Sequence, residues 1–227
     1  MNSMQISGKR FLVVGASGAL GAELTRQLLA KGATVLGTAS SNETAGNIPA
    51  AVEIRLLLDL TKPESIKTLT DYLLAASELD GIINAAGVVA FGDTKSLQAE
   101  TISQLMAINA AGPMQLFSAL IPALENRDAV IVNLTGVVAE TPLPGLAAYS
   151  ASKTAIDGFL TGAAREWRRL GINTISARPG HTETGLAERA IAGEAPKFPA
   201  GMTAEHVASR VIAAIEQDER ELSASGF

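Results

Sequence analysis

The chain is expected to fold as an α/β domain, a doubly wound parallel sheet with helices on both faces. Three observations predict it. Short runs rich in Val, Ile and Leu alternate with longer stretches of helical period along the whole sequence. Those runs are apolar throughout, where strands with one wet face would alternate apolar and polar residues. The composition of the 227 residues, 47% apolar, 18% charged and 4% aromatic, suits a domain with a sizeable core.

The elements follow in order. Residues 10–14 (RFLVV) read as the first strand, and Gly15-Ala-Ser-Gly18-Ala-Leu-Gly21 follows at once. A helix comes next, with Leu20, Leu24 and Leu28 on one face and Gly32 closing it. Residues 34–37 form a second strand, and residues 53–58 a third that ends at Asp59. Thr61 and Glu64 have capping-box spacing and open a helix that runs to about Ser77. Residues 81–84 are a short fourth strand, and residues 100–124 a long helix with Asn109 mid-way. A fifth strand spans residues 129–134, and a second long helix starts near Ala148 and ends at Leu170-Gly171. Residues 172–177 form a sixth strand, stopped by Pro179-Gly180. Thr203 opens a last helix with Val207, Val211 and Ile215 in register, and residues 221–225 add a short closing strand. Nothing resembles a linker or a repeat, so residues 1–227 are expected to be one domain of about six or seven strands. Residues 183–201 carry Gly, Ala and Pro without a firm period. A loop of that length in a compact domain reads as a substrate loop or lid, and the plainer alternative is a mobile surface segment.

Composition excludes several chemistries. With no cysteine there is neither a disulfide nor a thiolate metal site, and two histidines, His181 and His206, argue against a histidine-rich metal site. The net charge of −5 with no basic run argues against nucleic acid as a partner. The first ten residues lack the apolar core of a signal peptide, and no apolar run reaches membrane-spanning length. A cytoplasmic protein with no membrane partner is the expectation.

The loop of Gly15, Gly18 and Gly21 between a strand and a helix is the context of a dinucleotide fingerprint. Glycines permit the tight turn and the close approach of backbone to a pyrophosphate. The helix N-terminus supplies N–H donors and a positive dipole end. A Rossmann-type reader of NAD usually carries an acid at the end of its second strand. Here Gly37-Thr38-Ala39-Ser40-Ser41 offers hydroxyls, with no carboxylate until Glu43. Hydroxyls tolerate a 2′-phosphate better than an acid would, so NADP(H) is favoured over NAD(H). No arginine stands beside them: Arg10 and Arg55 fall early in their strands, at the opposite edge of the sheet. Further along, Tyr149 and Lys153 lie four residues apart, on one face of a helix. A cation near the phenol favours the phenolate and lowers its pKa, which would suit the pair to acid–base work near neutral pH.

These pieces together resemble the short-chain dehydrogenase/reductase family over nearly the whole chain. The resemblance rests on VVGASGALG, Asp59 after the third strand, Ile83-Asn84-Ala85-Ala86-Gly87, Asn109, Tyr149 with Lys153, and Arg178-Pro179-Gly180-His-Thr182-Glu-Thr184, all in the family's order. It implies hydride transfer between a nicotinamide and a carbonyl or secondary alcohol of a small molecule. It implies that Tyr149 passes the proton, that Lys153 lowers its pKa and bonds the nicotinamide ribose, and that Asn109 steadies a proton path to Lys153. Cofactor contacts are implied for Gly15, Ser17, Gly18, Leu20, Gly21, Thr38, Ser40, Asp59 and Leu60. They are implied also for Asn84, Ala85, Ala86, Gly87, Tyr149, Lys153, Pro179, Gly180, Thr182 and Thr184. The end of the second strand, GTASSNE, also looks like that of NADP-dependent ketoacyl reductases.

One departure touches the chemistry. The family's serine lies thirteen residues before the tyrosine, and that position here is Gly136. Such a donor is worth on the order of 10²–10³ in rate. Thr135 is the nearest hydroxyl. On a regular strand it faces the other way, and Gly136 could bend the strand end and re-aim it. Thr141 or the substrate itself are alternatives, and a further one is a weak or inactive nucleotide-binding regulator on the same fold. The second Asn of its motif is Ala85, and the chain ends without a glycine-rich tail. A homodimer through the two long helices, whose small residues include Gly158, Gly162 and Ala163, is expected ahead of a tetramer.

Overall fold

The computed structural model describes residues 4–76 and 79–227. Seven parallel strands form one sheet: β1 (Arg10–Val14), β2 (Thr34–Ala39), β3 (Ile54–Leu57), β4 (Gly81–Asn84), β5 (Ala129–Leu134), β6 (Ile172–Ala177) and β9 (Glu221–Leu222). Their order is β3-β2-β1-β4-β5-β6-β9. The chain winds outward from β1 in one direction and from β4 in the other, which is the doubly wound arrangement the sequence predicted. Two short strands, β7 (Thr182–Glu183) and β8 (Met202–Thr203), pair with each other outside the main sheet.

Continuous apolar runs form these strands because both faces are covered. In β1, Phe11 and Val13 enter one core and Leu12 and Val14 the other. The first core lies under α1 (Ala19–Ala30) and α7 (Ala204–Glu216), where Leu24, Leu28, Val207, Val211 and Ile215 are buried. The second lies under α3 (Pro63–Ala76), α5 (Gly112–Leu124) and α6 (Ala147–Arg168), around Ile66, Leu73, Phe117 and Ile156. Full burial of such side chains stabilises by about 1.5–3 kcal/mol each before the entropy of ordering is subtracted.

Three local readings change. Helix α3 starts at Pro63, and the Thr61 hydroxyl donates to Asp59 Oδ1 at 2.6 Å. The Thr61–Glu64 spacing therefore serves a turn at the end of β3, and the expected helix end at Ser77 lies outside the described residues. The long helix is built of α4 (Ala99–Met106), a π turn at Ala107–Ala111 and α5, with Asn109 inside the π turn. Running unbroken from Ala99 to Leu124, it is by length and composition apolar enough to cross a membrane, contrary to the reading of the separate runs. In this fold Leu105, Leu116, Phe117 and Leu120 of that stretch are instead fully buried in protein. A four-residue helix, α2 (Asn42–Ala45), follows β2 and is capped by Ser41.

Candidate active site

The carboxyl ends of β1 and β4 are adjacent, at the point where the strand order reverses, and the glycine loop crosses there. A Cβ on Gly15 would lie 2.9 Å from the Ala86 amide, and one on Gly21 would lie 2.1 Å from the Gly15 carbonyl. Only glycine fits these two close approaches. At Gly18 a Cβ would meet nothing nearer than 3.5 Å, so the loop leaves an open cradle above it. The first turn of α1 holds no acidic side chain, and Gly18 caps it without a side chain. The amides of a helix's first turn lack helical acceptors. This cradle therefore fits a pyrophosphate in shape and in charge, with Ser17, Gly18, Leu20 and Gly21 along its rim.

Several of the expected cofactor residues serve the loop from behind. Thr38 is 1% exposed, and its hydroxyl accepts the Gly15 N–H at 3.1 Å. It braces the turn, so its hydroxyl is committed to the loop; Ser40, just past that strand end, is exposed. Asn84 is 2% exposed and donates to Asn133 Oδ1 at 2.7 Å, while its own oxygen accepts the Ala86 N–H. Its side chain thus ties β4 to β5 and shapes residues 85–87 without facing the crevice. Leu60 buries its side chain under Gly112, leaving only its backbone to offer. Asp59 stays partly exposed. The hydrogen bond from Thr61 and the ammonium of Lys62 outweigh its burial and hold its carboxyl below the usual range.

Tyr149 and Lys153 share the inner face of α6. The Lys153 ammonium is 5% exposed, donates to the Leu134 carbonyl at 2.9 Å, and lies 5.9 Å from the centre of the Tyr149 ring. Gly87 leaves it room, since a Cβ there would stand 3.1 Å from the ammonium and 3.3 Å from Asn109 Oδ1. Asn109 is 1% exposed. Its oxygen accepts the Val88 N–H and its amide donates to the Val88 carbonyl and to Ser152 Oγ, at 2.9, 2.9 and 3.0 Å. Ser152, unassigned by the sequence reading, donates in turn to the Tyr149 carbonyl at 2.7 Å. It lies on the third residue after the tyrosine, but nothing in the sequence pairs it with Asn109, 43 positions earlier.

The electrostatics differ from what the spacing suggested. Burial pushes the Tyr149 phenol up to about 12 and pulls the Lys153 ammonium down to about 8. The tyrosine packs with Val89, Val138, Leu146, Leu186 and Ala190, and that apolar shell penalises the phenolate more than the ammonium favours it.

The Thr135 hydroxyl is held within the sheet. The residue is 3% exposed, and its hydroxyl lies 3.1 Å from the Ala177 carbonyl, to which it donates, and 3.2 Å from Ser176 Oγ. The backbone does turn at Gly136, with φ +106°, but this leaves Thr135 bonded to β6. Beyond β6, Pro179 accepts the Val137 N–H, and Thr182 donates to the Gly180 carbonyl at 3.0 Å. Thr184 donates to the Thr182 carbonyl at 3.4 Å, so this segment is a self-bonded turn at the mouth of the site.

Comparison with known proteins agrees with this geometry. The sequence model of a family described as short chain dehydrogenase matches residues 9–195. The 3-oxoacyl-(acyl-carrier-protein) reductase FabG of Salmonella typhimurium is 31% identical over 227 aligned residues, covering 95% of this chain and 93% of that protein. The 2,3-dihydro-2,3-dihydroxybenzoate dehydrogenase of Escherichia coli is 30% identical over 185 residues, 81% of this chain and 73% of that protein. Among solved structures, a short chain dehydrogenase of Burkholderia cenocepacia in complex with NADP matches with a TM-score of 0.86 at 26% identity, covering 97% of this chain and 90% of that one.

Proposed function

The chain belongs to the short-chain dehydrogenase family, and on that premise we propose that it reduces a small-molecule carbonyl to an alcohol with NADPH, Tyr149 being the proton donor. It is an NAD(P)-dependent oxidoreductase. The observation that carries the proton-donor role is the state of the pair on α6. A phenol pushed up to about 12 keeps its proton at neutral pH, and an ammonium at about 8 keeps its charge. That is the protonation state in which a tyrosine donates to a carbonyl oxygen.

When bound, the reduced nicotinamide supplies the hydride. The chain's own residues do the rest. Amides around Gly15, Ser17, Gly18, Leu20 and Gly21 hold the pyrophosphate, and Asp59, with the backbone at Leu60, receives the adenine end. Ala85, Ala86 and Gly87 form the floor at the switch point; Pro179, Gly180, Thr182 and Thr184 bound the nicotinamide end. Ser40, exposed just past the end of β2, is the hydroxyl assigned to a 2′-phosphate, and the Burkholderia cenocepacia structure in complex with NADP supports NADP(H) as the cofactor. Tyr149 gives its proton to the substrate oxygen. Lys153, protonated below about pH 8, stands beside the phenolate so formed and stabilises it. Asn109 and Ser152 lock the π turn to α6, which fixes the height of Lys153 relative to Val88.

A homodimer in the cytoplasm completes the proposal. Gly158 and Gly162 on α6 face open space, since a Cβ on either would meet nothing within 4 Å. Ile102 and Met106 on α4 are 42% and 36% exposed. Ala163, by contrast, is buried in the core.

The test has two arms. Saturating NADPH is expected to raise the melting temperature, and a panel of ketones and aldehydes is expected to include compounds that consume NADPH. Tyr149→Phe should keep the thermal shift and lose at least ~10²-fold in kcat. Unchanged turnover in that variant would sink the proton-donor assignment. A thermal shift with no turnover of any carbonyl would favour the regulator reading.

A further inference from the structure

Residue 136 lies where the chain leaves β5. The pairing of β4 with β5 ends at Asn84 and Asn133. Beyond that register the edge of β5 that faced β4 is open. The other edge stays bonded to the end of β6 and the segment after it. There the Thr135 amide donates to the Ala177 carbonyl and the Val137 amide to the Pro179 carbonyl, each at 2.9 Å. Successive peptide groups of an extended chain point to opposite edges. The Leu134 carbonyl and the Gly136 amide therefore share the open edge. The Leu134 carbonyl takes the Lys153 ammonium at 2.9 Å. Among the described residues nothing accepts the Gly136 amide.

That amide is level with Tyr149. Helix α6 connects β5 to its parallel neighbour β6, so it runs against both strands. From Lys153 back to Tyr149 it climbs about 6 Å toward the carboxyl ends of the strands. From Leu134 to Gly136 the chain climbs about 7 Å the same way. The contact between Lys153 and Leu134 is one level; the next sets the Gly136 N–H across from Tyr149. Val137 and Val138, which follow Gly136, pack in the same apolar cluster as Tyr149. Gly136, Tyr149 and residues 85–88 are all half-buried, whereas Leu134, Thr135 and Lys153 below them are buried. The upper level is therefore the one that opens to solvent.

The turn at residue 136 demands glycine. Its φ of +106° and ψ of 159° fall in a region that is essentially glycine's alone. A Cβ there would meet nothing nearer than the Pro179 carbonyl at 3.7 Å, so conformation and not crowding imposes the residue. A carbonyl oxygen has two lone pairs. Tyr149 addresses one of them, and the Thr135 hydroxyl is bonded to Ala177.

We propose that the Gly136 N–H is a catalytic group, donating to the carbonyl oxygen of the substrate beside the Tyr149 hydroxyl. It stabilises the negative charge that develops on that oxygen as the hydride arrives. Tyr149 delivers the proton, and the amide keeps its own. Backbone thus supplies the second hydrogen bond at the position where the family resemblance places a serine. This rests on the reductase reading above and adds a donor to it.

The test removes that one N–H by placing glycolic acid at residue 136, which turns the amide into an ester. Ethyl acetoacetate, a small soluble ketone, is the probe. Because the N–H has no partner in the protein, the ester protein is expected to keep its melting temperature and its thermal shift with NADPH. Its kcat is expected to fall about 10²-fold, with KM within about 3-fold of wild type. Gly136→Ser adds a hydroxyl and strains the turn, and it is expected to gain no activity. In wild-type protein isotopically labelled at glycine nitrogen and loaded with NADP⁺, adding ethyl acetoacetate should move the Gly136 amide proton downfield. An ester protein within about 3-fold of wild-type kcat overturns the proposal, as does a gain of about 10-fold or more in Gly136→Ser. So does an amide proton that the ketone leaves unmoved, or a melting temperature lowered by the ester, which would give the N–H a role in the fold. A moved amide with no turnover of ethyl acetoacetate would overturn the reductase reading and leave the donor assignment standing.

Discussion

Lys153 lies almost wholly out of water with one carbonyl for its ammonium, and burial brings its pKa from an ordinary 10.5 to about 8. This makes a statement about stability. Between those values the unfolded chain holds a proton that the folded one has released, so stability rises with pH through that window. The contribution is complete above 10.5 and is lost as pH falls through 8. Its size is about 3 kcal/mol, from 1.36 kcal/mol per pKa unit. Tyr149 works in the opposite sense and later. Its folded pKa is raised from 10.0 to about 12, so its contribution is complete below 10 and is lost as pH climbs through 12. Between pH 8 and 9.5 only the lysine moves. Urea unfolding over that range should show the wild type gaining stability relative to Lys153→Met. Parallel curves for the two proteins would mean that the ammonium is better solvated than its burial implies. The spacing of Tyr149 and Lys153 was legible in the sequence because it is local to one helix. The apolar shell that sets the phenol's pKa was not, since Val89 and Leu186 come from segments far away in the chain.

At the level of elements, the strand–loop–helix unit from β1 to α1 separates two glycine roles that the sequence presents as alike. Gly21 is where α1 crosses the loop, and an added Cβ would overlap the Gly15 carbonyl at 2.1 Å. At Gly18 a Cβ would make only ordinary contact, 3.5 Å from the same carbonyl. Gly21→Ala is therefore expected to lower the melting temperature of the protein without cofactor, by several degrees for an overpacking cost of about 1–3 kcal/mol. Gly18→Ala should leave that temperature nearly unchanged and weaken only the shift produced by NADPH. Thermal unfolding with and without NADPH reads both; equal losses in the two variants would contradict the assigned roles. The elements themselves were legible almost to the residue, because hydrophobic period and glycine or proline stops are local properties. Misread were the side chains whose partners lie across the sheet. Thr38 seemed free to meet a ribose, yet it serves Gly15, 23 positions earlier. Asn84 seemed to face the cofactor, yet it serves Asn133, 49 positions later.

For the molecule as a whole, Arg178 ties the edge strand β9 to the rest of the sheet. It stands at the end of β6, 9% exposed, with its amide bonded to the Leu222 carbonyl of β9. Its guanidinium reaches Asp157 of α6 through two hydrogen bonds of 3.0 and 3.2 Å, Glu140 of the β5–α6 connection at 3.2 Å, and Glu221 of β9. Glu140 also accepts the Ala224 amide at 3.3 Å. Burial alone would lower the arginine's pKa, but Glu221, Asp157 and Glu140 together reverse this and hold it above its ordinary value. One cation thus joins the last strand, the helix bearing Tyr149 and the loop that begins at Gly136. Arg178→Met would leave Asp157, 17% exposed, without its cation, at a cost of about 3 kcal/mol. Lysine should recover only part of it, because a single ammonium cannot reproduce the fork to Asp157 together with the bonds to Glu140 and Glu221. The measurement is a double-mutant cycle in urea between Arg178→Met and Glu221→Gln. A coupling of about 1 kcal/mol or more is expected if the arginine holds the terminal strand to the sheet. Strict additivity would mean that β9 is held by Leu222 and its backbone bonds alone, and that the cluster stabilises α6 independently of the chain's end.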